Sequence, residues 1–294
     1  MTQGLDAGVS IVRRWQLAAT LKALREQAEL TQEEAIERLQ QGQGKWSRSK
    51  MSRIENREQG LKPRDIEQLL DAYRVTDVAT RDGLLQLALG SNEQGWWVRY
   101  LGVLPKEAPP LLGIEGGLVG LRDFQSQLVH GLLQTPDYTR ALINVINPGV
   151  FAPEDMADLI AARMVRQQII DHDEPPNLHF IIDQTVLERV VGEPPVMYGQ
   201  LRRLLELAKK PSITMQVLPK NIGGSPGLEG PFAVLTLPEP IPDVGHVEGP
   251  AGTLYIEDRD RVRLLTLRFG ILTQQALSRE ASVEMISEAM RSYD

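Results

Sequence analysis

Cysteine is absent from this 294-residue chain, which excludes disulfide staples and thiolate metal sites and fits a reducing compartment. Aromatic residues are sparse at 5%, and there are four histidines. His130, His172, His179 and His246 show no metal-ligand spacing and read as surface or satisfied core residues. No apolar run approaches the ~20 residues that span a bilayer, and the N-terminus lacks a charged-then-apolar leader pattern. Positive charge is also scarce: 32 Lys and Arg against 39 Asp and Glu leave a net charge of −7 and a pI near 5.3. That balance excludes a histone-like coating of nucleic acid. These absences predict a soluble, cytoplasmic protein that needs no cofactor and no membrane. What remains is a chain of 42% hydrophobic residues, long enough for two domains with a core in each.

The positive charge that is present is concentrated. From Lys45 to Arg57 five cations (Lys45, Arg48, Lys50, Arg53 and Arg57) face one acid, Glu55, a local +4 that leaves −11 for the rest. An acidic protein built this way presents one short face to a phosphate backbone.

The local signals around that face are those of two short helices. Thr31 and Glu34 are spaced as an S/T-x-x-E capping box, in which hydroxyl and carboxylate satisfy each other's orphan backbone donors. Ser47 is a second N-cap candidate, and Trp46 and Met51 are spaced as a hydrophobic staple across it. A Gly-bearing turn joins the two, the expected form of a helix-turn-helix. Ahead of them Leu17, Leu21, Leu24 and Ala28 form one apolar stripe on a helix from about Val12 to Gln27. Pro63 opens a fourth helix with Ile66, Leu69, Leu70 and Tyr73 on its core side, and Asp77 caps a fifth through Leu84, Leu85 and Ala88. The expected fold is a five-helix, all-α domain over residues 1–90.

Leu30-Thr31-Gln32-Glu33-Glu34-Ala35, Ser47 to Glu55 and the apolar helix behind Pro63 resemble the XRE family of lambda-repressor-like regulators, over residues 12 to 75. The resemblance implies that Arg48, Ser49, Ser52 and Arg53 read bases in the major groove. Gln32, Lys50 and Arg57 then hold phosphates. The chemistry is apt, because Arg bonds guanine O6 and N7 bidentately and Ser bonds several base edges. Lys and Arg on the flank set register without reading sequence. Met51 and Ile54 are expected in the core, and Glu55 on a nearby cation or a helix end. The turn from Gln40 to Lys45 is longer than the family's, and a surface insertion of that size costs little loop-closure entropy.

Gly90 to Gly95, Trp96-Trp97 and Pro105, Pro109 and Pro110 mark a connector over residues 91–110. Residues 111–294 read as an α+β domain with a small sheet. Thr135-Pro136-Asp137 starts a helix, a longer one runs from about Pro153 to Ile170, and another includes Leu201 to Ala208. Strand candidates are Leu178–Ile182, Ile213–Leu218, Phe232–Leu237 and Thr253–Ile256. Two helices close the chain, Asp258–Gln275 and Arg279–Met290, the last capped by Ser278.

The run Gly131 to Tyr138, the run Ile213 to Pro219 and the run Ala276 to Ser282 resemble the C-terminal domain of many actinobacterial XRE regulators. That family is antitoxin-like and often encoded beside a small partner protein, so the resemblance implies a protein-binding or sensing role. Enzyme signals are weak. Gly223 to Gly227 lacks the Lys-Ser/Thr of a P-loop and reads as a surface hairpin or loop. Asp183, Glu257, Asp258 and Asp260 are candidates to gather round a cation, but Glu257 to Asp260 reads more simply as the acid-rich opening of a helix. The expectation is a sequence-specific, non-enzymatic transcriptional regulator. It acts as a homodimer on a palindromic double-stranded operator, and its C-terminal domain senses a ligand or small protein. The alternative is an antitoxin-like protein that sequesters a small partner and autoregulates its operon.

Overall fold

The computed structural model describes residues 8–41, 45–56, 59–90, 96–105, 108–250 and 252–294. The chain forms two compact units: Met1–Arg99 with Ala108–Gly117 and Pro238–Pro242, and Tyr100–Glu107 with Leu118–Leu237 and Asp243–Asp294.

The first unit is helical: α1 (Gly8–Gln27), α2 (Gln32–Gln40), α3 (Arg48–Glu55), α4 (Pro63–Ala72), α5 (Val78–Gly90) and α6 (Ala108–Glu115). The expected starts are made as the sequence implies. The Thr31 hydroxyl accepts the Glu34 N–H, and the Glu34 carboxylate accepts the Thr31 N–H. Those bonds also hold the Glu34 carboxyl below its usual range. Asp77 takes the N–H and hydroxyl of Thr80 ahead of α5. Helix ends are less orthodox. After α1 and α4 the left-handed residues are Glu29 (φ 56°) and Arg74 (φ 58°), where glycine is usual. In both cases the residue after it, Leu30 or Val75, returns its N–H to a carbonyl in the last turn, that of Arg25 or Leu70. α1 begins at Gly8 rather than near Val12. α6 falls where prolines suggested only a connector. Pro109 and Pro110 occupy its first turn, where a missing N–H costs nothing because none is used there.

One core binds α1 to α5, with Leu17, Leu21, Met51, Ile54, Ile66, Leu69 and Leu70 at or below 1% exposed. Each such burial is worth roughly 1.5–3 kcal/mol. The peptide carbonyl of Glu239, from the segment Pro238–Pro242, accepts the Gln16 amide of α1 at 2.9 Å.

The second unit is an α+β fold around a six-stranded mixed sheet. Its elements are β1 (Gly120–Gln125), α7 (Pro136–Ile146), α8 (Pro153–Arg166), β2 (Asn177–Asp183), α9 (Gln184–Glu188), α10 (Pro194–Leu207), β3 (Ile213–Leu218), β4 (Phe232–Thr236), β5 (Val244–Gly249), β6 (Gly252–Ile256), α11 (Arg259–Gln275) and α12 (Arg279–Arg291). The order is β3-β2-β1-β4-β5-β6, parallel from β3 to β1 and antiparallel onward. Four of these strands match expected ones; β1, β5 and the short α9 do not appear in the sequence pattern. Residues 167–171 continue α8 as a tighter 3-10 turn.

α11 covers one sheet face, packing Val262, Leu265, Phe269 and Leu272 against Phe124, Ile181, Phe232 and Val234. On the Phe180 side lies the segment 129–135, held by three glutamines. Gln134 donates to the Val129 carbonyl and accepts from Thr139 and Arg163. Gln167 donates to the carbonyls of Gly131 and Gln134. Gln200 donates to Leu133 and accepts the Thr135 N–H. The Arg166 guanidinium lies over Gly131, 2.9 Å from where a Cβ would stand. The outer edge of β3 is closed by the α11–α12 turn: the Ser282 hydroxyl accepts the Val217 N–H, and the Val217 carbonyl accepts the Leu277 N–H. A covered edge cannot template pairing with another chain.

Candidate nucleic-acid interface

α3 is eight residues long and amphipathic in the strict sense. Ser47 caps it by accepting the Lys50 N–H at 3.2 Å, and Met51 and Ile54 anchor it in the core. Trp46, just before the cap, is buried in the same core as Met51 and donates its indole N–H to Gln68 at 2.8 Å. The opposite face carries Arg48, Ser49, Ser52 and Arg53, at i, i+1, i+4 and i+5, which share one side of a 3.6-residue helix. Arg48, Ser49 and Arg53 are exposed and Ser52 is half-buried. The four residues expected to read bases are therefore brought together.

Their present partners differ. Arg48 makes an exposed ion pair with Glu33 of α2 at 3.2 Å. Arg53 is held by neutral acceptors, its Nε on the Gln59 carbonyl oxygen at 3.1 Å and its Nη1 on the Ser49 hydroxyl at 3.0 Å. Ser52 accepts from Asn56 at 3.3 Å.

Of the residues expected to hold phosphates, Gln32 is the first residue of α2 and donates its amide to Glu55 at 2.8 Å. That bond fixes the side chain and leaves the second amide hydrogen free of this pairing. Lys50 is engaged inside the unit, its ammonium 2.7 Å from Asp65 and 3.9 Å from the centre of the Trp46 ring. With 19% of its side chain exposed, it ties α3 to α4, and one bond to Asp65 leaves two of the three ammonium N–H groups outside that pair. Arg57 lies outside the described residues.

Behind this face is the one carboxylate of the segment. Glu55 accepts from Arg25 Nε at 2.6 Å, Arg25 Nη2 at 3.1 Å and Gln32, with its side chain 5% exposed and that of Arg25 9%. The pairing with Glu55 raises the Arg25 pKa further. The expectation that Glu55 meets a cation is met by one thirty residues earlier in the chain, on α1. The long turn does not separate α2 from α3: Gln40 donates across it to the Trp46 carbonyl at 3.3 Å, and both helices enter one core. Gln59 is the residue that sequence reasoning missed, because nothing in its type or spacing announces that the chain turns back on α3.

The other candidates resolve into structure. Asp183 and Asp258 are N-caps, accepting the N–H of Thr185 and Arg261 at 2.9 Å each. Among the described residues no group of three His, Asp or Glu side chains is placed to hold a metal ion. Gly223 to Ser225 is a loop between two 3-10 turns, and Gly227, within the second turn, packs on the Phe124 ring. His130 accepts the Leu132 N–H and lies beside Phe180, and burial depresses its pKa well below the usual range, with Arg166, His246 and Arg163 adding to the effect.

A family model described as Domain of unknown function (DUF5753) matches residues 110–288, more than half of the chain. The chain belongs to that family. A second model, described as Helix-turn-helix domain, matches residues 16–83 and takes in α2, α3 and α4 complete. Nothing among curated proteins or solved structures matches the chain. The helix-turn-helix match takes in the exposed face of α3, and the DUF5753 match takes in the whole sheet, the glutamine-held segment and α11. No described helix is long and apolar enough to cross a membrane.

Proposed function

We propose that this protein is a sequence-specific DNA-binding transcriptional regulator of the lambda-repressor-like kind. The observation that carries the reading is α3: a capped helix fixed in the core by Met51 and Ile54, with Arg48, Ser49, Ser52 and Arg53 together on its open face. Such a face fits the major groove, and Gln32 at the start of α2 is placed to position a phosphate. Phosphate binding in this reading falls on Gln32, Lys50 and Arg57, with Lys50 also bracing α3 through Asp65.

The second unit, in this reading, brings two copies together and answers to a ligand or small protein. A short recognition helix buries too little surface for tight binding alone, which favours a two-fold dimer. α11 supports a protein-binding role. Opposite its buried face it exposes Leu264, Leu267 and Ile271, at 48%, 58% and 45%. We assign this stripe to a second copy of the chain; an antitoxin-like hold on a small partner is the alternative occupant.

Selection from a randomised double-stranded DNA library by the full-length protein, at near-physiological salt, tests the reading. The expected result is a motif of two inverted half-sites about one helical turn apart, lost in Arg48→Ala/Arg53→Ala. A single half-site would reject the dimer, and enrichment of nothing would reject sequence-specific binding.

A further inference from the structure

Resting on the DNA-binding reading, we infer that Gln59, with Ser49, is a positioning residue that makes Arg53 the principal guanine reader of this protein. Gln59 holds Arg53 at two points. Its backbone N–H donates to the Arg53 carbonyl at 3.2 Å, closing the end of α3, and its side-chain oxygen accepts the Arg53 Nε–H at 3.1 Å. From the other side, one turn back, the Ser49 hydroxyl accepts from Nη1 at 3.0 Å.

A guanidinium has five N–H donors in a planar fork, and these two bonds use two of them. The remaining three, one on Nη1 and two on Nη2, include the pair that matches guanine O6 and N7. Both holding groups are uncharged, so they fix the plane of the fork without neutralising it. Arg48 stands in contrast: its partner is the charged Glu33 carboxylate at 3.2 Å, which offsets its charge, and its side chain, 79% exposed, is braced by no neutral acceptor among the described residues. Ser49, by accepting from Arg53, acts through that residue before it acts on DNA.

The backbone bond of Gln59 does not depend on its side chain, so Gln59→Ala leaves the end of α3 closed. Ser49 is at the second position of the helix and exposed, where alanine is well tolerated. The variants therefore test position rather than folding, and matched melting temperatures check this.

The experiment is relative affinity measured across a randomised double-stranded DNA library for the full-length wild type, Gln59→Ala, Ser49→Ala, Arg53→Ala and Gln59→Ala/Arg53→Ala. Freeing one rotamer-rich side chain predicts a loss of about 2- to 10-fold in preference at the base pair read by Arg53. Gln59→Ala is expected to flatten that base pair alone, with random-sequence binding unchanged and with no further loss in the double variant. Preference kept in Gln59→Ala but lost in Arg53→Ala overturns the positioning role and leaves DNA reading intact. Preference kept in Arg53→Ala, or no motif from the wild type, overturns the assignment of Arg53 as well.

Discussion

Replacing Glu55 by alanine should unfold the helical unit long before it touches the sheet. The carboxylate is 5% exposed and takes three charge-assisted or amide hydrogen bonds, two from Arg25 and one from Gln32. Arg25 is itself 9% exposed, and after the substitution its only remaining protein acceptor among those described nearby is the Leu30 carbonyl, apart from a looser approach to Glu26 at 3.6 Å. Breaking a buried pair by removing one partner costs about 3–5 kcal/mol, since the other charge stays buried without compensation. In a unit of this size each 1 kcal/mol is worth roughly 4–8 °C, so the unit should lose at least ~12 °C. All four tryptophans, Trp15, Trp46, Trp96 and Trp97, belong to the first unit. Tryptophan fluorescence during thermal unfolding therefore reads that unit directly. The companion variant Arg25→Met/Glu55→Met removes both charges and should cost far less than the single change. A loss below ~1 kcal/mol for Glu55→Ala, or a double variant as damaged as the single one, would refute the reasoning.

Gly227→Ala should destabilise the second unit by about 1–3 kcal/mol, the usual penalty of overpacking, because the new Cβ would come within 2.5 Å of the Phe124 ring, itself 1% exposed; a denaturation midpoint by far-UV dichroism equal to wild type would contradict it. Burial depresses the pKa of His130 and, against a raising contribution from Gln216, that of His179. The unfolded chain, with histidines near 6.5, takes up protons first as pH falls, so stability present above ~6.5 is lost below it, at up to about 1.4 kcal/mol per pH unit per histidine. All four histidines are in the second unit. Between pH 7 and 5 the dichroism transition should move down while the tryptophan transition holds; the reverse pattern would reject this account.

The helix starts were legible because an N-cap is a local event. Thr31, Ser47, Thr135 and Ser278 each accept a backbone N–H three residues on, as their spacing implies. The exposed face of α3 was legible for the same reason, through the 3.6-residue period. β1 was not. It is central in the sheet, where an apolar run is the usual sign, yet it reads Gly-Leu-Arg-Asp-Phe-Gln. Asp123 is 2% exposed there, 3.9 Å from His130, on a strand flanked by β2 and β4 from far along the chain. The partners of Glu55 and Arg53 were out of reach in the same way: one comes from a helix thirty residues away, the other from a chain reversal that residue types do not encode. The Gly131 to Tyr138 run shows the converse. Its resemblance was visible in sequence, but only the fold reveals that Gln134 and Thr135 fasten backbone groups of their own segment.

The piecewise make-up of the first unit has a consequence for how the protein is born. Its helices α1 to α5 leave the ribosome early, but α6 and the segment Pro238–Pro242 that complete it come later, the last of them after 237 other residues. At roughly 5–20 residues per second of synthesis, on the order of 8–30 s separate the emergence of α5 from that of Pro238–Pro242. During that interval α2 and α3 exist without their full complement of neighbours, so a nascent chain has α3 before it has the finished unit that carries it.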